Sequence, residues 1–380
     1  MANKRARVIA LYLPQFHPTA VNDRYWGEGF MEWDNVKRAR PLFRGHSQPR
    51  VPGALGYYDL RSPQVRKAQA ELARQAGIEG FCYWHYWFGN GQEALSLPLD
   101  EVVRLGEPDF PFCVGWANHD WSTDSWDRAK GRPQTIFAQT YPGPADEEAH
   151  FFRLLPCFRD RRYIRVEGKL LFLVFDPVAI PDARGWMARW NSLAEQEGLD
   201  GFHFVGLAPS LPEMKTRDLF RPDKLVNASM DAVRALGFDA VMSTNYKYAE
   251  LKTGGPLRKA LYGAARRIKP GLLLEKYRYG GIIRNFYTPA DRREDVYPQL
   301  LAGWDRSPRS GRKAIVYYGR TPADFEEAAR RCFQCAAGKP MERRVVFLNS
   351  WNEWGEGAYV EPDEEFGDQF LKALERQLRR

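Results

Sequence analysis

The chain has 380 residues, a mass of 43.9 kDa and a formal net charge of +8. No apolar run approaches the roughly 20 residues of a membrane-spanning helix, so we expect no membrane span. Residues 8–13 are too short an apolar run for an export signal, and no small-residue cleavage site follows them, which favours a cytoplasmic protein. The basic residues are dispersed and no recognisable module accompanies them, so we expect no nucleic acid as a partner.

Short β-branched and aromatic runs bounded by polar residues predict strands that are covered on both faces. In chain order they are residues 8–13, 78–83, 112–116, 170–175, 202–206 and 241–242, then either 297–303 or 314–318, and finally 345–348. A hairpin at residues 163–169 is expected to lead into the fourth strand.

Helical patterns separate these strands. Ser62 and Pro63 predict a helix start, because Pro is favoured in the first turn, and Gly77 predicts its end. The predicted helices are residues 62–77, 93–105, 146–158, 184–197, 322–335 and 366–378. Residues 119–144 are interpreted as an insertion, residues 210–240 are ambiguous, and residues 252–278 are interpreted as an excursion or a helix pair.

About eight strand–helix pairs predict an α/β fold, a single (β/α)8 TIM barrel over residues 1–380 with long loops after the strands. No Pro-rich linker or low-complexity tract divides the chain. The alternative is an open doubly wound sheet in two domains. That fold would be expected to show a Gly-rich turn between a strand and a helix, and no such turn follows a predicted strand.

The loop after the last predicted strand carries Glu353 and Glu356 between tryptophans and glycines. Most Glu-x-x-Glu pairs are simply solvated, but Trp351 and Trp354 favour a pocket or a covered core. A turn brings positions three apart to about 5–6 Å, and the C-terminal edge of a barrel is where catalytic groups gather. Glycoside cleavage uses one protonated and one ionised carboxyl, and burial should raise one of the two pKa values.

The other predicted strand ends carry polar and aromatic side chains as well. Twelve tryptophans exceed what core packing usually needs, and flat rings suit the apolar faces of sugars. We therefore predict a carbohydrate-binding cleft lined by residues at these strand ends: Tyr12, Gln15, His17, Trp84, His85, Tyr86, Trp116, Asn118, His119, Trp121, Asp176, Trp304, Trp351 and Asn352.

Cysteine and histidine patterns give no metal site. An odd number of cysteines, mostly in apolar runs, predicts reduced and buried thiols: Cys82, Cys113, Cys157, Cys332 and Cys335. Cys332 and Cys335 have metal-like spacing without a second pair, and His17, His85 and His119 follow no metal-binding pattern. We predict neither a metal nor a cofactor.

Two motifs also carry a family resemblance. Residues 12–17 (Tyr-Leu-Pro-Gln-Phe-His), followed by residues 22–33 with Glu32 and Trp33, resemble the opening of WbsX-like proteins of bacterial surface-polysaccharide gene clusters, which are relatives of glycoside hydrolase family 99. Residues 352–357, with Glu361 and Pro362, resemble the catalytic segment of that family. The resemblance implies a (β/α)8 barrel acting with retention on α-manno-configured glycans.

By position, the resemblance implies specific roles. Glu353 would act as base on the substrate 2-hydroxyl, and Glu356 as general acid/base. Asn352 would hydrogen-bond a sugar or a carboxylate, while Glu32 and Trp33 join the predicted substrate cleft. Gly355 stands where family 99 often has histidine, and the first-strand loop differs, so substrate preference does not carry over.

Three functional classes fit these patterns. The first is a retaining, endo-acting α-glycosidase on a bacterial polysaccharide or oligosaccharide containing mannose or rhamnose. The second is a glycosyltransferase of O-antigen or capsule biosynthesis, although the sequence has no Asp-x-Asp motif and no nucleotide-binding Gly loop. The third is a non-catalytic glycan-binding protein, which would not need the Glu353/Glu356 pair.

Overall fold

The computed structural model describes residues 4–123, 134–209 and 222–379. Its strands are β1 (Arg7–Tyr12), β2 (Gly80–Gly89), β3 (Gln92–Ala94), β4 (Phe112–Trp116), β5 (Trp121–Ser122), β6 (Thr135–Phe137), β7 (Arg165–Val166), β8 (Lys169–Val174), β9 (Phe202–Leu207), β10 (Ala240–Met242), β11 (Glu275–Arg278), β12 (Val296–Tyr297), β13 (Gln299–Leu301), β14 (Ile315–Tyr318), β15 (Val345–Asn349), β16 (Asn352–Glu353) and β17 (Ala358–Tyr359).

Parallel strands form a central barrel in the order β12, β10, β9, β8, β4, β2, β1, β15, β13. Its two ends, β12 and β13, flank Pro298 and act as two halves of one strand, so the ring closes to within that residue. Proline has no N–H for the ladder, which explains the interruption. The predicted TIM-barrel fold class is confirmed.

The register brings the C-terminal ends of the strands to one rim. Tyr12 of β1 pairs with Tyr83, and His85 of β2 pairs with Trp116, which in turn pairs with Val174. Every residue of β15 is buried, as expected for a strand covered on both faces. The loops that follow these ends are therefore neighbours in space.

Helices surround the barrel. The described helices are α1 (Ala20–Trp26), α2 (Trp33–Arg38), α3 (Pro63–Gln75), α4 (Leu97–Leu105), α5 (Pro144–Phe158), α6 (Ala183–Gln196), α7 (Pro222–Ala235), α8 (Tyr246–Gly254), α9 (Pro256–Ile268), α10 (Tyr279–Phe286), α11 (Ser307–Ser310), α12 (Pro322–Ala336) and α13 (Gln369–Leu378). None of these helices combines the length and apolar character needed to cross a membrane. The five cysteines are buried, as predicted.

Several predicted boundaries are confirmed. Ser62 caps α3, with its side chain accepting a hydrogen bond from the backbone of Val65, and proline follows it in the first turn. The hairpin before the fourth barrel strand forms between β7 and β8. α4 begins at Leu97 rather than at residue 93, because residues 92–94 pair with β2 as a strand.

The structure identifies the seventh barrel strand and shows which elements the excursion at residues 252–278 contains. Residues 296–301 supply the barrel strand, whereas β14, the other candidate, pairs with β11 outside the barrel. Residues 252–278 contain the end of α8, all of α9 and β11. In the ambiguous stretch at residues 210–240, residues 222–235 form α7, and residues 210–221 lie outside the described residues. In the insertion at residues 119–144, β5 pairs with β6, and residues 124–133 lie outside the described residues.

Candidate functional site

Glu353 and Glu356 lie in a compact loop beyond the C-terminal end of β15. β16 pairs with β17, and between them residues 354–356 form one 3-10 turn. Gly357 closes that turn with a φ of 62°, a left-handed conformation that glycine adopts without a steric penalty. The turn therefore places two carboxyl groups, each 14% exposed, beside each other at the barrel rim.

Both carboxylates share one cation, Arg309 of α11. Its Nη1 lies 2.7 Å from Oε1 of Glu356 and 3.2 Å from Oε1 of Glu353. The two oxygens are therefore no farther apart than the sum of these distances. Arg306 adds a second cation, with its Nε 3.1 Å from the same oxygen of Glu356.

A third carboxylate, that of Glu32, also contacts Arg309. It is fully buried, and its Oε1 accepts a hydrogen bond of 2.8 Å from Nε of Arg309. Burial raises the pKa of Glu32, while the neighbouring Arg309 charge opposes that rise. A buried carboxylate needs such a partner, because desolvation alone would disfavour its charge.

The two rim glutamates differ in proton affinity. Burial and the negative charge of Glu356 raise the pKa of Glu353 to about 7. Burial also acts on Glu356, but Arg306 and Arg309 outweigh it and lower the pKa of Glu356. Below about pH 7 the pair therefore holds one proton, and the raised pKa of Glu353 favours that carboxyl as its site.

Asp305 fixes the segment that presents Arg309. Its carboxylate lies 2.8 Å from Nε2 of His46 and accepts hydrogen bonds from Gln48 and from the backbone of Ser307. Burial opposes ionisation, but the His46 and Ser307 contacts more than offset it and lower the pKa of Asp305. This buried carboxylate therefore anchors the start of α11.

Glu361, from the closing motif, supports the loop from the core side. It is 1% exposed and accepts hydrogen bonds from Tyr58, Gln69 and Trp354. Burial raises the pKa of Glu361 to about 7. The ring of Trp354 stacks on Tyr359 with centroids 3.7 Å apart, so this network holds the glutamate loop against the barrel.

Aromatic side chains flank the carboxylates. The ring of Tyr86 lies 6.4 Å from His119 and 6.1 Å from Trp121. Tyr246 lies 4.9 Å from Trp304 on the other side. Burial raises the pKa of both Tyr86 and Tyr246, and the charges of Glu353 and Glu356 add to that rise.

Asn352 does not reach the cleft. Its side chain is fully buried, and its amide group accepts from the backbone N–H of Leu13 and donates to the carbonyl of Leu13. The end of β1 needs those hydrogen bonds, since an unpaired buried backbone group is costly. Asn352 therefore positions the first strand end.

Other predicted cleft residues pack in the interior. Tyr12 donates to Gln69, and the Trp33 ring N–H donates to the backbone of Tyr58. The Trp116 ring N–H donates to the backbone of Trp87, and Nε2 of His85 lies 3.1 Å from Nε2 of His150. Burial lowers the pKa of His85 to about 3. Trp351 is fully buried against Phe81.

Asn118 and Asp176 belong together. The Asn118 amide donates to the backbone carbonyl of Asp176 and accepts from its N–H, so it joins two strand ends. Gln15 and His17 are 5% and 2% exposed at the first strand end. Trp121 packs in a separate apolar cluster with Phe30, Phe88 and Leu95.

Half-buried residues at the rim are Trp84, Tyr86, His119, Asp176 and Trp304. Trp84 meets Phe175 edge-on at 5.9 Å, and the ring of His119 lies 4.9 Å from the same phenylalanine. These side chains, with the two glutamates, are the predicted residues that the rim keeps accessible.

Arg309, Arg306 and Tyr246 are site residues that the sequence interpretation missed. The two arginines lie two and five positions after Trp304, which is one of the predicted strand-end residues. The sequence did offer a signal for them, because basic residues directly after a predicted strand end can pair with the carboxylates that follow another strand end. No cluster of three or more potential metal ligands occurs among the residues that the structure describes.

Comparison with known proteins places the chain in a family. The family described as Glycosyltransferase WbsX matches residues 8–374. Two proteins described as uncharacterized protein WxcX, from two strains of Xanthomonas campestris pv. campestris, are each 32% identical over 376 residues, or 99% of this chain. The chain spans about half the length of these curated relatives, since the match covers 50% of each.

Two solved structures of similar fold are described as a glycoside hydrolase and a glycoside hydrolase-like protein. The GH99 endo-alpha-mannosidase from Bacteroides thetaiotaomicron has a TM-score of 0.52 at 16% identity, over 98% of this chain and 95% of that chain. A glycoside hydrolase-like protein has a TM-score of 0.61 at 15% identity, over 100% and 95%. These identities establish the fold alone. The resemblance carried by the two motifs is confirmed: the chain belongs to the WbsX family and folds as a barrel like that of the GH99 endo-alpha-mannosidase.

Proposed function

We propose that this chain is a retaining, endo-acting α-glycosidase that cleaves a bacterial polysaccharide at manno-configured residues. The observation that carries the proposal is the Glu353/Glu356 pair, which Arg309 holds at the barrel rim. The pKa of Glu353 is raised to about 7 and that of Glu356 is lowered, so the two carboxyls differ in proton affinity. Two carboxyls with unequal proton affinity are what glycoside cleavage requires.

Two steps would follow from the assigned roles. Glu353 takes the proton of the substrate 2-hydroxyl while O2 attacks the anomeric carbon, and Glu356 gives its proton to the departing oxygen. A 1,2-anhydro sugar and the shortened glycan result. Water then opens the ring as Glu356 takes a proton from it and Glu353 returns its proton to O2. Two inversions give net retention.

Substrate binding has to relocate the proton that the free site keeps on Glu353. A hydrogen bond donated by the 2-hydroxyl favours the ionised form of Glu353. A bound sugar also excludes water from Glu356, which favours the neutral form of that carboxyl. Both effects move the proton to the residue that faces the leaving oxygen, without changing the charge of the pair.

The geometry of O2 attack selects the sugar. O2 has to approach the anomeric carbon opposite the leaving group, and α-mannosides and α-rhamnosides achieve this when both substituents are axial. α-Glucosides have the two groups cis. The rim aromatics Tyr86, Trp84 and Trp304 supply flat apolar surfaces of the kind that bind sugar faces.

The test uses substrates in which the 2-hydroxyl is replaced by hydrogen or fluorine. We expect no turnover and no covalent glycosyl-enzyme by intact-mass analysis, whereas the parent α-mannan or α-rhamnan gives a retained product by NMR. A trapped adduct on Glu353 or Glu356, or an inverted product, would contradict the proposal. Glu356→Gln should lower turnover at least about 100-fold while binding persists, with the exposed Glu148→Gln as control.

The family description favours one alternative, a glycosyltransferase. The curated relatives are about twice as long as the match, so a full-length protein can carry a further activity. Incubation of oligosaccharide acceptors with and without nucleotide sugars separates the two functions. Elongation that depends on a nucleotide sugar, without hydrolysis in its absence, would favour the transferase. Binding without either reaction would favour a glycan-binding protein.

A further inference from the structure

Helix α9 packs with its polar side against the protein and its apolar side towards solvent. Most surface helices have the opposite arrangement, because burial of the apolar stripe stabilises the fold. The helix lies in the excursion between β10 and β11, at some distance along the chain from the glutamate loop.

Ion pairs fix the inward side of α9. Lys259 bonds both Glu250 and Glu275, whose side chains are only 3% and 4% exposed. Arg266 lies 2.6 Å from the other oxygen of Glu275. Tyr277 also donates to Glu275. Two buried carboxylates would be left uncompensated if the helix rotated, so these contacts hold the apolar side outward.

The outward side is strongly apolar. Leu257, Leu261 and Ile268 recur at intervals of four and seven residues, which places them on one side of the helix. They are 85%, 57% and 78% exposed. The following loop adds Leu272 and Leu273, which are 47% and 44% exposed. Leu273 shares a small recess with Tyr262 and Arg266 of α9, so the loop folds back beside the helix.

The charged side chains of the segment that carries this stripe are all basic. Residues 252–274 contain six basic side chains and no acidic one. At the end of the helix, Arg267 and Lys269 are exposed and take no part in the ion pairs to Glu250 and Glu275. An apolar stripe between cations matches a surface that offers acyl chains beneath anionic groups.

We propose that α9 and the loop to Leu273 bind peripherally to an anionic lipid bilayer. The helix would lie in the interface plane, with Leu257, Leu261 and Ile268 inserted among the acyl chains and Arg267 and Lys269 against the headgroups. The ion pairs to Glu250 and Glu275 would hold the rest of the protein above the surface. This inference does not depend on the reaction proposed for the barrel.

Vesicle sedimentation of the full chain tests the proposal. We expect binding to vesicles that contain phosphatidylglycerol to be at least about tenfold tighter than binding to phosphatidylcholine alone, and to weaken with salt. The triple variant Leu257→Gln/Leu261→Gln/Ile268→Gln should lose at least about tenfold in affinity. Arg267→Gln/Lys269→Gln, which leaves the ion pairs intact, should lose at least about fivefold on the anionic vesicles.

Val178→Gln/Met341→Gln is the matched control, since both side chains are exposed apolar residues elsewhere, at 49% and 39%. It should bind vesicles as the unmodified chain does. Thermal unfolding of each variant checks that the fold persists. Failure of the unmodified chain to bind anionic vesicles, or unchanged binding by both helix variants, would overturn the proposal. A dimer seen by light scattering that the triple variant abolishes, without vesicle binding, would instead assign the stripe to a second copy.

Discussion

The carboxylate of Glu32 occupies the space that any side chain at position 355 would need. A Cβ built on Gly355 would collide with Oε1 of Glu32 and lie 2.8 Å from Nε of Arg309. The requirement for glycine comes from this close approach. The opening motif thus supplies the carboxylate, and the closing motif supplies the room for it.

Gly355→Ala should disturb this packing. We expect a loss of about 1–3 kcal/mol in the free energy of unfolding, because the added methyl forces the buried Glu32 and Arg309 apart. Chemical denaturation measures it. Gly338→Ala is the control, since a Cβ there meets no heavy atom of the described residues within 4 Å. Equal effects of the two substitutions would refute the steric account.

Arg309→Met should destabilise the protein by about 3–5 kcal/mol near neutral pH, because Glu32 is left buried without its cation. The loss should shrink at acidic pH, where Glu32 takes a proton. Adding Glu32→Gln to Arg309→Met should recover part of the stability, and a double-mutant cycle measures that coupling. Strictly additive losses would show that the two side chains do not depend on each other.

The dependence of kcat/KM on pH should have an alkaline limb near 7, the value to which burial and Glu356 raise the pKa of Glu353. Above it both carboxyls are ionised and the pair holds no proton for the leaving oxygen. The assay is hydrolysis of the α-mannan or α-rhamnan substrate across pH. In Glu353→Gln the residual activity should lack this limb. Constant kcat/KM from neutral to alkaline pH would contradict a one-proton pair.

Stability should also depend on pH through Glu361. Burial raises the pKa of this carboxyl from 4.5 to about 7, so the folded state keeps a proton that the unfolded chain releases. Its contribution is fully present below 4.5 and is lost as the pH rises towards 7, by roughly 3 kcal/mol. Denaturant unfolding at several pH values measures the free energy of unfolding, and for Glu361→Gln we expect that free energy to change less with pH. An unchanged pH dependence would assign the effect to other groups.

The sequence by itself determined the barrel and the glutamate loop. Apolar runs such as residues 345–348 predict strands because both faces of a barrel strand are covered, and that pattern is local. Because the pattern is local, it could not decide whether residues 297–303 or residues 314–318 form the seventh strand. Residues 315–318 are as apolar as a barrel strand, and only their pairing with β11 excludes them from the ring.

Only the tertiary structure decided which side chains meet at the rim. Residues that follow strand ends were predicted as one set, yet Asn352 and Asn118 serve backbone groups while Arg309 joins Glu32 to Glu356. Buried polar groups are stabilised by partners that satisfy their hydrogen bonds. For the Asn352 amide and the Glu32 carboxylate, those partners are Leu13 and Arg309, which lie hundreds of residues away along the chain. Periodicity records whether a side chain is covered, and it carries no information about which distant group covers it.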